Sequence, residues 1–142
     1  RDYIGFCFAP KDGNKDEDID EKFFDLAYSA EDGSGNLARR AAYGGKLNSE
    51  FHEGPAAFNS LNGTLYFTRS WYDSKRGTSR DTIVNKIYQS SSNGGFTKVA
   101  EVNVSSDKYH CCHPTLSQNG STMIFSSNMP GSQKMDLYAS SL

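Results

Sequence analysis

The sequence lacks the long apolar run that a membrane-spanning helix requires, and it shows no secretion signal. It is also poor in cysteine, with only Cys7, Cys111 and Cys112. An odd count without regular spacing is not typical of a disulfide-rich secreted domain. The redox compartment of the protein is therefore left open by its cysteines.

No excess of one charge is present, because 15 Lys and Arg residues stand against 17 Asp and Glu residues, a net charge of −2. The basic residues are scattered, and the short pairs Arg39-Arg40 and Lys75-Arg76 fall in segments that read as solvated loops. A nucleic-acid interface needs a basic patch or stripe. The composition therefore predicts no nucleic-acid partner.

Signatures of catalysis are missing as well. No serine lies within the glycine pattern of a nucleophile elbow. The closely spaced carboxylates lie in one acidic segment, with no apolar neighbours to shift a pKa. We therefore expect the chain not to be an enzyme.

What the sequence does contain is a repeated segment. The first copy holds His52-Glu53-Gly54-Pro55 and, after an Asn-Gly turn, Leu65-Tyr66-Phe67. The second copy holds His113-Pro114 and, after another Asn-Gly turn, Met123-Ile124-Phe125. A proline-led strand, a tight turn and a strand of aromatic and aliphatic residues predict an antiparallel hairpin in each copy.

A third, partial copy lies near the N-terminus. Phe6 precedes Phe67 by 61 positions, and Leu26 precedes Ile87 by the same 61. Phe67 in turn precedes Phe125 by 58 positions. Counting strands predicts three at the start, four in the middle, where 95–102 reads as an outer strand, and three at the end.

A period of this length built from short strands is typical of a propeller blade. We therefore predict an all-β fold, a partial β-propeller of about two and a half four-stranded antiparallel blades. The predicted blades are a partial one at 1–50, a complete one at 51–107 and a partial one at 108–142. A closed propeller has roughly four to eight blades, so the chain is expected to be a fragment whose own propeller continues outside it. A targeting segment could then lie upstream.

His110-Cys111-Cys112-His113 is the first candidate metal site. Alternation along a strand sends neighbouring side chains to opposite faces, whereas tetrahedral zinc sites usually use ligand pairs separated by two to four residues. A structural role, with one cysteine in the core, is the favoured interpretation. Zinc binding and a vicinal disulfide are the alternatives.

The second candidate is an acidic segment with oxygen ligands on alternate residues, Asp12, Asn14, Asp16 and Asp18. It does not fit an EF-hand, which needs Gly at loop position six and Glu at position twelve, because Glu17 and Phe23 stand there. A looser calcium-binding turn and a solvated acidic loop remain as alternatives. We expect no cofactor, with calcium in this segment as the alternative.

The second half of the chain resembles a known repeat. His113-Pro114, the strand Met123-Ile124-Phe125-Ser126, the loop Pro130-Gly131 and Asp136-Leu137-Tyr138 are similar to the TolB-type propeller repeat of Bacteroidota envelope proteins that carry an OmpA-like domain. The match is strong over 108–142, moderate over 51–90 and weak over 1–30. The sequence departs from the pattern at Cys111-Cys112 and in the turn, where Gln118-Asn119 replaces Pro-Asp.

Among such proteins, the resemblance is to PorE-like subunits of the type IX secretion and gliding machinery. It implies a periplasmic, outer-membrane-associated scaffold that helps to anchor an outer-membrane complex to peptidoglycan. Its partners would be other envelope or secretion-system proteins. No peptidoglycan-binding motif is present in this chain.

The sequence therefore predicts a non-catalytic propeller that binds proteins through loops between its strands. The candidate binding residues are Trp71, Tyr72 and Arg76 in one loop and Met129 in another, since aromatic residues and arginine dominate interface energetics. Burial of Trp71 between blades is the competing interpretation. A propeller accessory to a serine peptidase and a carbohydrate-binding surface protein, suggested by the 13% aromatic content, are alternative functions.

Overall fold

A computed structural model describes residues 3–10, 15–16, 21–71 and 83–142. Apart from a three-residue 3-10 turn at Ser92–Gly94, the regular structure there is β-strand, and no helix of the described part could cross a membrane. The strands are β1 (Tyr3–Phe8), β2 (Lys15–Asp16), β3 (Glu21–Lys22), β4 (Asp25–Ala30), β5 (Ala41–Ala42), β6 (Glu53–Asn59), β7 (Thr64–Trp71), β8 (Val84–Ser91), β9 (Val99–Glu101), β10 (Cys111–Leu116), β11 (Thr122–Ser127) and β12 (Asp136–Ser141).

The strands form three antiparallel sheets and one short hairpin. The first sheet has the order β1-β4-β5, the middle sheet β6-β7-β8-β9 and the last sheet β10-β11-β12. The all-β class is confirmed, and the three sheets contain the predicted three, four and three strands. The hairpin of β2 and β3 lies between β1 and β4 and was not predicted.

The third strand of the first sheet is short. Only Ala41–Ala42 pairs with β4 as a strand, and Leu37 forms an isolated bridge with Glu31. The Asp32 carboxylate accepts hydrogen bonds from the N–H groups of Ser34 and Asn36. These local bonds hold a turn, which competes with an extended strand.

The internal alignment is confirmed by matching aromatic pairs. Phe67 stacks on Tyr88 across the middle sheet, with ring centroids 6.1 Å apart and planes at 30°. Phe125 and Tyr138 repeat this in the last sheet, at 6.0 Å and 28°. The offset of 58 positions between the two phenylalanines therefore joins structurally equivalent residues.

The middle sheet is covered on both faces because successive side chains of a strand point to opposite sides. Leu65 and Phe67 of β7 pack toward the first sheet, against Leu26 and Leu47. Tyr66, between them, belongs to a second cluster on the other face, shared with the last sheet. That cluster contains Tyr66, Ile87, Val102, Cys111, Met123 and Phe125.

One face of the last sheet is open. Leu26, Ile87 and Leu137 occupy equivalent positions in the three sheets, yet they are 1%, 0% and 76% exposed. Tyr66 and Ile124 form another equivalent pair, at 5% and 41%. The face that the next sheet covers in the first two sheets is therefore exposed in the last.

The two proline-led strands carry the same irregularity. The register of β6 against β7 shifts between Glu53 and Ala56, and that of β10 against β11 shifts between Cys112 and Thr115. Pro55 and Pro114 lie within these bulges. Proline lacks an N–H group, so a bulge is one of the few places where a sheet accepts it.

Candidate interaction surface

The sequence-predicted binding residues that the structure describes lie at one edge of the sheets. Because β1, β7 and β11 are equivalent strands, the segments that follow them emerge at the same edge. Trp71 is the last residue of β7, and Met129 lies two residues beyond β11. The structure therefore brings Trp71 and Met129 to a common edge.

Several predicted residues lie outside the described part of the chain. In the loop after β7 these are Tyr72 and Arg76, and in the acidic segment they are Asp12, Asn14 and Asp18. Asp16 is described through its backbone alone, which pairs with Glu21 in the hairpin of β2 and β3. The proposed calcium turn therefore stays a prediction.

Trp71 lies beneath a buried lysine. The Lys86 ammonium group is 4.0 Å from the centre of the Trp71 ring, within the range of a cation–π interaction. The Trp71 side chain is itself half-buried. One portion of the ring is packed and another faces solvent, and the two interpretations from the sequence stay predictions.

Lys86 is compensated by two acidic residues. Its ammonium group donates hydrogen bonds to Glu101, at 3.0 Å, and to Asp107. Burial alone would lower the pKa of Lys86, but the hydrogen bonds to Asp107 and Glu101 outweigh it and raise that pKa. Lys86 is therefore a fixed positive charge at this edge. Trp71, Lys86, Glu101 and Asp107 form what we call the lysine cluster.

The lysine cluster is specific to the middle sheet. Asp25 in the first sheet and Asp136 in the last occupy the position of Lys86, next to Leu26 and Leu137. The charge at this position is therefore inverted in one sheet out of three. The sequence signal was a lysine where the repeat has an aspartate, and sequence analysis did not use it.

Met129 packs at the base of its loop. Its side chain is half-buried and lies against the cluster between the middle and last sheets. Its N–H donates to Ser127 Oγ at 3.1 Å, and its carbonyl accepts from the N–H of Ser132 at 3.0 Å. Part of the Met129 side chain thus remains available to a partner.

Two histidines join successive sheets at the same edge. His52 Nδ1 accepts a hydrogen bond from the N–H of Phe24, just before β4, at 3.2 Å. His110 Nδ1 does the same for the N–H of Asn85, at the start of β8, at 3.1 Å. The structural equivalent of His52 is therefore His110. Alignment on the prolines had instead placed His113 in the repeated segment.

A second pair of equivalent positions shows a difference between the middle sheet and the last sheet. Glu53 is fully buried and bonds Arg69 Nε at 2.7 Å and Ser49 Oγ at 2.5 Å. Cys111 and Ser127 take the places of Glu53 and Arg69 in the last sheet, 3.4 Å apart. A buried ion pair in one sheet is thus replaced by a small, weakly polar pair in the next.

The motif around Cys111 is structural in this arrangement. Cys111 lies in the core cluster, while the imidazole of His110 already accepts the bond from Asn85. Burial raises the pKa values of the Cys111 and Cys112 thiols, which keeps them protonated. Among the described residues, no group of three His, Cys, Asp or Glu side chains is placed to hold a metal ion.

A cleft of about 820 Å³ opens between the first and middle sheets. It is lined mainly by apolar and aromatic side chains, including Cys7, Leu26, Tyr28, Pro55, Phe58 and Phe96. Sequence reasoning did not find it, because its walls come from strands that are far apart in the chain.

Comparisons with protein-family models, curated proteins and solved structures find no match to this chain.

Proposed function

We propose that the chain contributes consecutive blades to a β-propeller that binds other proteins and has no catalytic role of its own. The observation that carries the proposal is the difference between Leu26 and Ile87, whose side chains are buried, and Leu137, whose side chain is exposed. Each stands on the face that a following sheet covers, and only Leu137 is open. A further sheet of the same kind would bury it.

The way in which the sheets meet supports a radial arrangement. The first strand of the last sheet, β10, packs across β6, β7 and β8 of the middle sheet. The outer strand β9 makes its extensive contacts with β8, its own neighbour. Sheets that converge at their first strands and diverge at their last are arranged like blades around an axis.

The edge that carries Trp71 and Met129 is the proposed binding surface. A partly exposed tryptophan whose ring contacts the buried Lys86 gives the aromatic character common at interface hot spots. The resemblance of 108–142 to TolB-type repeats supports a place in a bacterial envelope scaffold. We propose a periplasmic, outer-membrane-associated scaffold, with type IX secretion or gliding proteins as partners.

Site-specific photo-crosslinking tests the binding surface. A photoreactive amino acid replaces Lys134, exposed in the loop after β11, or Asn62, exposed in the turn at the opposite edge. The Lys134 probe should capture a defined envelope protein in intact cells, and the Asn62 probe should not. Equal capture from both positions, or recovery of the protein in the cytoplasmic fraction, would contradict the proposal.

The Trp71→Ala variant separates binding from packing. If Trp71 contacts a partner, pull-down of the captured protein falls by about tenfold or more. Unchanged pull-down combined with a lower melting temperature would assign Trp71 to packing alone.

A further inference from the structure

We propose that the cleft between β1 and β6 accepts an extended strand, the first strand of a further copy of this repeat, which pairs antiparallel with the free edge of β1. The inference deepens the proposed function by naming the partner of the first sheet. It rests on the repeat architecture but does not depend on a location in the envelope.

The first observation is the free edge itself. In the middle sheet β7 lies between β6 and β8, and in the last sheet β11 lies between β10 and β12. Their equivalent in the first sheet, β1, pairs with β4 alone among the described strands. Within the described part of the chain, one row of backbone N–H and C=O groups along β1 is thus left for pairing, which is how an extended peptide adds to a sheet.

The second observation comes from equivalent residues on the first strands. Pro114 of β10 is buried and Leu116 is half-buried, because β10 lies against β6. By register, their equivalents on β6 are Ala56 and Phe58. Ala56 is exposed and Phe58 is 52% exposed. These residues face the first sheet, where no first strand covers them among the described residues.

The third observation is that the empty space is in the right place. The cleft is bounded by Gly5, Phe6 and Cys7 of β1 on one side and by Pro55, Ala56 and Phe58 of β6 on the other. A strand placed there would pair with β1 and would cover Ala56 and Phe58 at the same time. The apolar walls favour apolar side chains over a charged ligand.

The register of the missing strand follows from β6. Ala56 pairs with Phe67 and Asn59 pairs with Thr64, so the equivalent residues of the new strand would pair with Phe6 and Tyr3. Asn59 also donates a hydrogen bond from Nδ2 to the carbonyl of Gly120, at 3.2 Å, in the turn of the following sheet. An asparagine at the same place in the new strand would reach the carbonyl of Asn62, which the 58-position offset places at the position of Gly120.

A peptide-binding measurement tests this assignment. The probe is a fluorescein-labelled peptide with the sequence of Glu53–Asn59, titrated into the chain and followed by anisotropy. We expect saturable binding of one peptide per chain and none for a scrambled peptide. Replacing the asparagine of the peptide by alanine should weaken binding severalfold.

Matched variants of the chain locate the binding site. Phe58→Ser should raise the Kd of the peptide by about tenfold, since it removes a large apolar contact. Leu61→Ser, at an exposed residue in the turn between β6 and β7 that lies outside the cleft, should leave the Kd unchanged. Phe58 and Leu61 are both at the surface, so both variants are expected to keep the melting temperature of the parent.

A disulfide test checks the register. Cys7 is equivalent to Ser126, which pairs with Cys112. A peptide with the sequence of Cys111–Leu116, with serine at its first position and an activated thiopyridyl disulfide at its second, should therefore react with Cys7. The Cys7 sulfur displaces the thiopyridyl group and forms a mixed disulfide, which peptide mapping locates. Moving the activated cysteine one position later should abolish the product.

Three results would overturn the inference. They are absence of peptide binding, equal Kd values for the Phe58→Ser and Leu61→Ser variants, and a dimer of the chain that the peptide dissociates, which would make a second copy the occupant of the edge. Peptide binding by a protein found outside the envelope would refute the proposed location while leaving this inference intact.

Discussion

The ammonium group of Lys86, on β8, lies 4.0 Å from the centre of the Trp71 ring, on the neighbouring strand β7. The contact depends on a residue type that the other two sheets do not share, since Asp25 and Asp136 stand at the position of Lys86. An aspartate there would leave the Trp71 ring without its cation. The edge of the middle sheet therefore carries a cation–π contact that the aspartates of the other two sheets cannot form.

Substitution of Lys86 tests how its positive charge compensates the two carboxylates of the lysine cluster. Lys86→Met should lower the free energy of unfolding by about 1 kcal/mol, because Glu101 and Asp107 are partly exposed and can be hydrated. Lys86→Asp should cost about 3 kcal/mol, since it places a third carboxylate beside them. Urea denaturation measures both. The double variant Lys86→Asp with Asp107→Lys is the control and should recover part of the loss; no recovery would refute the charge argument.

The two equivalent histidines should contribute alike to stability. His52→Ala and His110→Ala each remove the acceptor for a backbone N–H of the preceding sheet, at Phe24 and Asn85. Each should lower the free energy of unfolding by about 1 to 2 kcal/mol. His113→Ala serves as the control, because the His113 side chain is exposed, and it should change stability by less. A larger loss for His113→Ala would contradict the structural equivalence.

Alanine substitutions at the three equivalent leucine or isoleucine positions test the open face. Leu26→Ala and Ile87→Ala should each cost about 2 to 5 kcal/mol, the range for buried aliphatic residues. Leu137→Ala should change stability by no more than about 0.5 kcal/mol, since the side chain is at the surface. Thermal or urea unfolding of the chain gives the comparison. In a longer protein with a further sheet, Leu137→Ala should become as costly as Ile87→Ala.

Ionisation of Glu53 should lower the free energy of unfolding as the pH rises above the usual pKa of a glutamate. Burial raises the pKa of Glu53 above its usual 4.5, although its bonds to Ser49 and Arg69 act in the opposite direction. Between 4.5 and the raised pKa, the folded state binds more protons than the unfolded state, so this contribution is lost as pH rises through the window. Glu53→Gln should remove that slope from the melting temperature measured against pH. An unchanged slope would refute the assignment to Glu53.

The sequence was sufficient for the features that repeat. Matching Phe6, Phe67 and Phe125 at fixed offsets correctly located equivalent strands, because each must present an aromatic or aliphatic residue to the same face. The same alignment gave the correct number of strands in each sheet, which is three, four and three.

Features that depend on one sheet alone were not predictable in the same way. The lysine cluster joins residues that are 15 and 21 positions apart in sequence and fall on different strands and connections. His52 and His110 are 58 positions apart, like Phe67 and Phe125, whereas Pro55 and Pro114 are 59 apart, so alignment on the prolines hid the equivalence of the histidines. The cleft arises from the relation between two sheets, which no local pattern encodes.

The coverage of the middle sheet on both faces has a consequence for the order in which the protein opens. A sheet with two neighbours loses packing only after one of them has moved, whereas the first and last sheets each have one. Amide protons of β7 and β8 should then exchange with solvent only in the rarest openings, and those of β12 and β1 in frequent ones. The chain would unravel from its ends inward, with the strands around Phe67 and Ile87 as the last to separate.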